Sequence, residues 1–298
     1  MSETRLTALH IDVARFASDD FNPFHDRHKW RRIAGNPFGG PIALGFQLGA
    51  CGLEAVREAR GTAAGGGEPR YSTLQIRFID AVRADDTVSV TVRERHAARA
   101  TPSSRFVIRR NGRAAALGAL LGAHAAPAPL ADEAALAHAL DGLPDRSVVP
   151  GGHWFLKRKF MLTANAKNFL AAAGIDPFRY FDELENRVRF PEIYPASLIS
   201  SALLEHGLHR RHDFMAEPMV YSHHEITTDL DVLGRLRSND RLNIVVSHRP
   251  ATTARRVLHR CLAYTARGER LFTAAIGLVP LATLLACVAD GAAEAAPE

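Results

Sequence analysis

The chain has 298 residues, with 37 Lys+Arg against 32 Asp+Glu and a formal charge of +5. Hydrophobic residues make up 47% and charged residues 23%, which excludes a disordered chain and gives room for two domains of ordinary size. No uncharged apolar run reaches the roughly 18 residues of a membrane span, and the N-terminal MSETRLTALHID lacks a secretory apolar stretch, so a cytoplasmic protein with no membrane partner is expected.

The positive balance admits nucleic acid, an acidic partner or a phosphate-bearing ligand. The arginines are dispersed in pairs, Arg31-Arg32, Arg109-Arg110, Arg210-Arg211 and Arg255-Arg256, with no nucleic-acid motif around them. A solvated surface is expected, and no nucleic-acid partner. Cys51, Cys261 and Cys287 are scattered, without CxxC or a histidine at ligand spacing. They predict neither a disulfide framework nor a metal site.

In chain order, Asp12 is a candidate N-cap for a short helix over VARFAS. SDDFNPFHD, residues 18–26, follows. Asn22-Pro23 within it initiates a turn, because proline fixes its own φ and pushes the preceding residue out of the helical region. The turn brings an acid, Asp20, and an imidazole, His25, to one side, where they can share a water molecule. Pro41 then opens a helix, PIALGFQLGACGL, with no charge through Leu53; a helix apolar all round is a buried one. Ala43, Gly45, Gly49, Ala50 and Gly52 keep it thin, so that a sheet can wrap it closely. Beyond a glycine-rich connection at 61–67 the period becomes that of strands: 74–78 and 87–92 alternate, and 105–109 runs into the hairpin signal Asn111-Gly112. An Ala/Pro-rich stretch from Ala123 to about Pro150 is the best domain boundary.

A boundary near the middle invites a test for duplication. Asn22-Pro23-Phe24 has a counterpart in Asp176-Pro177-Phe178, an offset of 177 − 23 = 154. The same offset places Pro41 on Pro195, Leu44 on Leu198, Arg83 on Arg237 and Asp86 on Asp240. The chain reads as a diverged tandem repeat: a first repeat at 1–126, a linker at 127–150, a second repeat at 151–284 and a tail at 285–298. The second repeat repeats the plan, with a helix begun at Thr163 or Asn165, the Asx-Pro turn and the proline-led PASLISSALL. Strands at 241–246 and 256–258, a turn at Arg267-Gly268 and a strand at 271–279 complete it. A buried helix followed by an antiparallel meander, twice over, predicts an α+β fold with each helix held in a curved sheet.

SDDFNPFHD followed by GGPIALGF resembles the signature of the MaoC-like, (R)-specific enoyl-CoA hydratase branch of the hot-dog fold: S-G-D-x-N-P-[IL]-H, then a P-I-x-H-G helix start. Ser18, Asp20, Asn22, Pro23 and His25 match it. The resemblance covers roughly residues 7–124, and the repeat extends the fold to a double hot dog. It implies a catalytic Asp20–His25 pair working on an acyl thioester of CoA or of an acyl carrier protein. Ser18 and Asn22 are its expected supports and the helix start from Gly40 to Gly45 its expected oxyanion site.

The chemistry is coherent without the name. Adding water across the C2=C3 bond of an enoyl thioester needs a base for water, an acid for C2 and donors for the enolate oxygen. Helix N-terminal amides are such donors, and no metal or redox cofactor is required. Three departures stand out: Leu44-Gly45 replaces His-Gly, Asp19 replaces the Gly of S-G-D, and the acid past His25 is adjacent, at Asp26. Asp19 adds a charge beside the proposed base.

In the second repeat Gly174 stands at the place of Asp20 and Arg179 at that of His25, so that half cannot run the same acid–base chemistry. In double hot-dog enzymes such a half typically widens the acyl pocket. Arg179 is expected either to pair with a ligand phosphate or a carboxylate from the intact half, or to form a structural salt bridge. Two rival functions are a hot-dog thioesterase and an acyl-binding subunit without catalysis. A duplicated chain mimics a homodimer of single hot dogs and can pair again. His28 reads as a loop residue, Cys51 as an inert buried thiol, and 65–67 as a flexible connection without the Lys-Ser/Thr of a phosphate loop. His223-His224-Glu225 does not read as a metal site, because neighbours on a strand point to opposite faces.

Overall fold

The computed structural model describes residues 3–61, 69–95, 103–129, 133–253 and 256–286. The first repeat runs β1 (Glu3–Leu6), α1 (Ala8–Ser18), single 3-10 turns at Pro23–His25 and Trp30–Arg32, and α2 (Gly45–Arg60). It continues through β2 (Tyr71–Phe78), β3 (Asp86–Arg95), β4 (Ser103–Arg110) and β5 (Arg113–Ala123). After α3 (Glu133–Ala139) and β6 (Ser147–Val148), the second repeat opens with β7 (Trp154–Phe160), α4 (Thr163–Ala172) and a 3-10 turn at Pro177–Arg179. A small hairpin, β8 (Phe181–Asp182) and β9 (Arg187–Val188), precedes α5 (Ile193–Ser197) and α6 (Ile199–His209). The chain then forms β10 (Met219–Asp229), α7 (Leu230–Arg235), β11 (Arg241–Ser247), β12 (Ala251–Thr252), β13 (Val257–Thr265) and β14 (Arg270–Pro280).

Apart from β8 and β9, the strands among the described residues join one sheet of 12, in the order β1-β3-β4-β5-β2-β10-β14-β13-β11-β7-β6, with β12 on β13. The order is palindromic: β1, β3, β4, β5 and β2 answer β7, β11, β13, β14 and β10. The repeats meet antiparallel at β2 and β10, where Thr73 pairs with Thr227 and the two hydroxyls lie 2.9 Å apart. Because 227 − 73 = 154, each threonine faces its own counterpart, and the pseudo-two-fold axis passes between them.

The offset also explains which residues recur. Asn22 and Asp176 each accept a hydrogen bond from the amide two residues on, at 3.1 and 3.0 Å, and so close the same Asx-Pro turn. The Asp86 and Asp240 carboxylates each accept from the amide of their Arg, Arg83 or Arg237, at 2.7 Å. Asp85 and Asn239, one residue before them, sit at φ 72° and 73°, a left-handed conformation that Asp and Asn tolerate.

Two helix starts differ from the sequence reading. Helix α1 begins at Ala8 with Thr7 as its cap, and Asp12 is interior because its carboxylate is engaged by Arg15 and Arg27. Helix α2 begins at Gly45. Residues 41–44 are extended because the Ile42 amide donates to the Phe24 carbonyl, Ala43 to Val82, and the Ala84 amide to Pro41. The close wrapping of α2 is observed: a Cβ at Gly52 or at Gly118 of β5 would overlap the Phe106 ring.

The main core spans both repeats, from Leu6 and Phe46 to Phe169, Tyr194, Ile244 and Phe272. Within the stretch expected as a linker, 127–150, Leu136 of α3 and Leu140 just after it pack on the sheet, buried against Val149, Leu156, Val245, Leu262 and Tyr264. Alanine there favours a helix. At the other end Leu281 and Leu285 pack with Phe24 and Ile33. The connection at 62–68 and the tail from 287 lie outside the described residues.

Candidate active site

Helix α1 stops at Ser18, and Asp19 reverses the chain at φ 55°. Position 19 therefore needs a residue that accepts the left-handed region. The reversal turns Asp20 inward, its amide bonded to the Arg15 carbonyl at 2.7 Å. Asp20 Oδ1 accepts from the Asn22 amide at 2.9 Å and Oδ2 from the Ser200 hydroxyl at 2.5 Å. The Pro23–His25 turn then carries His25 beneath residues 41–44, where Nδ1 lies 2.7 Å from the Ile42 carbonyl oxygen. A carbonyl can only accept, so Nδ1 carries the proton and the lone pair of the neutral ring is on Nε2. That Nε2 is buried, has no hydrogen-bond partner, and lies 3.9 Å from Asp20 Oδ2. Both residues are 3% exposed.

A buried ion network holds the turn. Arg15 donates to Asp12 at 3.3 Å and to Asp26 at 2.9 Å, and reaches the Asp20 carbonyl at 3.5 Å. Arg27 closes the network on Asp12. Burial pushes the Asp26 carboxyl up, but the amides of His28 and Lys29, Arg15 and Lys29 outweigh it and hold the group below its ordinary range.

The second repeat supplies the far wall. Ser200, on α6, lies with its Oγ 3.0 Å from the Tyr221 hydroxyl. Burial, and next to it the Asp20 charge, pushes the Tyr221 phenol well up. Beside it His224 stacks on Phe46 at 4.4 Å and meets Tyr221 edge-on at 4.7 Å. Burial lowers His224 to about 3, so it is neutral, and its Nε2 also lacks a partner. A cavity of about 710 Å³ opens between α6 and strands β10, β13 and β14. Asn22 and Tyr221 are on its lining, as are the exposed Arg210, Arg211 and Arg249. Along it His206 and His259 are held neutral, burial lowering them to about 3 and about 4.

Neither a family model nor a curated protein sequence matches the chain. Its structure is similar to a MaoC-domain protein of Chloroflexus aurantiacus, with TM-score 0.59 at 10% identity over 94% of this chain and 93% of the other. It is also similar to a MaoC-like dehydratase, with TM-score 0.57 at 12% identity over 93% and 95%. A conserved Mycobacterium tuberculosis protein with a double hot-dog fold aligns over 93% of both chains, with TM-score 0.57 at 13% identity. The fold is a double hot dog.

Within the double hot dog the expected site residues separate. Asp20, His25 and Asn22 converge, and Asn22 fixes the turn through its side chain and Asp20 through its amide. Ser18 does not face the pair; its hydroxyl donates to the Ala14 carbonyl at 2.9 Å and helps to end α1. Gly40 lies in the bend before Pro41, and no atom lies within 4 Å of where its Cβ would be. The room left by Gly45 is filled by rings, since a Cβ there would be 2.8 Å from Phe78 and 3.1 Å from His224. The Asp19 charge is met by Lys159 at 2.6 Å and Ser201 at 3.2 Å, both from the second hot dog.

The second hot dog has closed its own version of the site. Gly174 sits at φ 72°, and any Cβ there would overlap the Thr4 side chain. Arg179 binds Glu54 at 2.6 Å and Glu58 at 2.5 Å, both on α2. It thus forms a salt bridge to carboxylates of the first repeat. Cys51 donates to the Ala173 carbonyl, and burial pushes its thiol up to about 12. Among the described residues no group of three or more His, Cys, Asp or Glu is placed to hold a metal.

Ser200, Tyr221 and Arg15 were not singled out by the sequence reading. Serine or tyrosine in an apolar run carries no local signal, and their partners lie up to 180 residues away. Arg15 and Asp26 sit on either side of the motif, and a charge pair flanking a turn was the available hint.

Proposed function

We propose that this double hot dog is an acyl-thioester hydratase or dehydratase, acting on an enoyl group carried by CoA or by the phosphopantetheine of an acyl carrier protein. The observation that carries the proposal is the unpartnered His25 Nε2, buried 3.9 Å from an Asp20 carboxylate whose own orientation is fixed. That separation exceeds a hydrogen bond. It is the base of a triangle whose apex a shared water, about 2.8 Å from each atom, would occupy.

In the hydration direction the water oxygen bonds C3 while His25 Nε2 takes one of its protons. The C2=C3 pair moves toward the thioester carbonyl, and the proton returns to C2, so that the net change is one H and one OH added. Asp20 orients the water and stabilises the imidazolium. To reach the first-turn amides of α2, at Gly45 and Phe46, which have no helical acceptor, the enolate oxygen must displace the Phe78 and His224 rings that crowd Gly45. The cavity is lined by Asn22, whose amide is bonded to Asp20, and its arginines suit the phosphates of either carrier.

The test is turnover of a crotonyl-type thioester. Loss of enoyl absorbance without free thiol, abolished by at least about 100-fold in Asp20→Asn, is the expected result. Release of free thiol would make the protein a thioesterase instead, and equal binding by wild type and Asp20→Asn without turnover would make it a binding subunit.

A further inference from the structure

The catalytic pair does not itself line the cavity; Tyr221 and Asn22 do. We propose that Ser200 and Tyr221 are positioning residues that form a hydroxyl relay, holding the Asp20 carboxylate and linking it to the cavity. The proposal rests on the reading of Asp20 and His25 as the reacting pair.

Hydrogen counting fixes the direction of the chain. Ser200 has one hydroxyl proton, and it is given to Asp20 Oδ2 at 2.5 Å. The 3.0 Å contact to Tyr221 must therefore be one in which the phenol donates to Ser200 Oγ. The elevated phenol agrees, since it keeps the donor protonated. The relay runs from Tyr221 O–H to Ser200 Oγ, and from Ser200 O–H to Asp20 Oδ2. A proton that reaches Asp20 leaves once both hydroxyls turn, so that Asp20 donates to Ser200 Oγ, Ser200 to Tyr221 and Tyr221 to water in the cavity, and one concerted shift along that order passes the proton to the water. No charged intermediate remains on the chain, and each hydroxyl ends with one proton.

The placement is specific to one side of the pseudo-dyad. The counterpart of Ser200 is 200 − 154 = 46, which is Phe46, an apolar ring. Ser200 is wholly buried, where an unbonded hydroxyl would be destabilising. The half that lacks the acid and base thus carries a hydroxyl, Ser200, whose acceptor belongs to the half that has them.

The experiment compares wild type, Asp20→Asn, Ser200→Ala and Tyr221→Phe on the crotonyl thioester, across pH and in H2O and D2O. Ser200→Ala and Tyr221→Phe are expected to lower kcat about ten-fold or more, with KM within about two-fold, an altered kcat–pH profile and a larger solvent isotope effect. If Asp20→Asn abolishes turnover while both hydroxyl variants keep the kcat and pH profile of wild type, the relay is wrong and the pair stands. If Asp20→Asn is as active as wild type, or nothing turns over, the reading of the pair has failed. The relay is then decided by NMR, which should show a downfield hydroxyl proton in wild type. It should vanish in Ser200→Ala and in Asp20→Asn and shift in Tyr221→Phe; its absence from wild type overturns the relay.

Discussion

Arg15→Met is expected to lower the free energy of unfolding by about 3 kcal/mol. Arg15 is the shared partner of Asp12 and Asp26, whose side chains are 4% and 9% exposed. Breaking a buried pair leaves an uncompensated charge and costs about 3–5 kcal/mol. Here Arg27 still holds Asp12, and the His28 and Lys29 amides still hold Asp26, so the low end applies. Methionine keeps most of the apolar stem, which separates charge from packing. The assay is equilibrium unfolding in urea for Arg15→Met, Asp26→Asn and the double variant. Arg15 and Asp26 share one contact, so the double variant should fall short of the sum by about 1 kcal/mol or more. The pH dependence has a definite sign. Asp26 is held below its ordinary 3.8 in the folded chain, so its contribution is complete above about pH 4 and is lost as pH falls through the folded value. The gap between wild type and Asp26→Asn should therefore close on acidification. A loss below about 1 kcal/mol for Arg15→Met, the size of an exposed pair, or strict additivity, would refute the reasoning.

Gly118→Ala, measured by the same unfolding assay, is expected to destabilise by about 1–3 kcal/mol, because the new methyl overlaps the Phe106 ring. Adding Phe106→Leu should recover part of that loss. His259, lowered to about 4 from an ordinary 6.5, is neutral when folded and protonated when unfolded between those values. Its contribution is complete above about pH 6.5 and falls as pH drops toward 4. His259→Gln should flatten the dependence of unfolding free energy on pH by on the order of 1 kcal/mol between pH 7 and 5, read from denaturant melts at each pH.

What the sequence made legible was local. The Asx-Pro turn, the Asn111-Gly112 hairpin and the thin uncharged helix are written in consecutive residues. The offset of 154 followed from prolines and turn acids, whose roles are backbone roles and survive divergence. The acid and base came with them, because one turn places both. Long-range polar contacts were not legible. Asp20 meets Ser200, and Asp19 meets Lys159, across the join between repeats, and no spacing rule reaches that far. Pro41 misled for a related reason: proline suits a first helical turn, but tertiary hydrogen bonds from the Ile42 and Ala43 amides to the Phe24 and Val82 carbonyls hold 41–44 extended. The 127–150 stretch misled because its alanines and prolines hide the few leucines that anchor it.

The seam at Thr73 and Thr227 has a consequence for how the protein survives dilution. A reaction centre assembled from two separate subunits falls apart when their concentration drops below the dissociation constant. Here the partner of Asp20 is tethered covalently, so encounter is intramolecular and independent of abundance. Each half also meets only one possible mate, so a substitution such as Gly174 or Arg179 is never imposed on both sides at once.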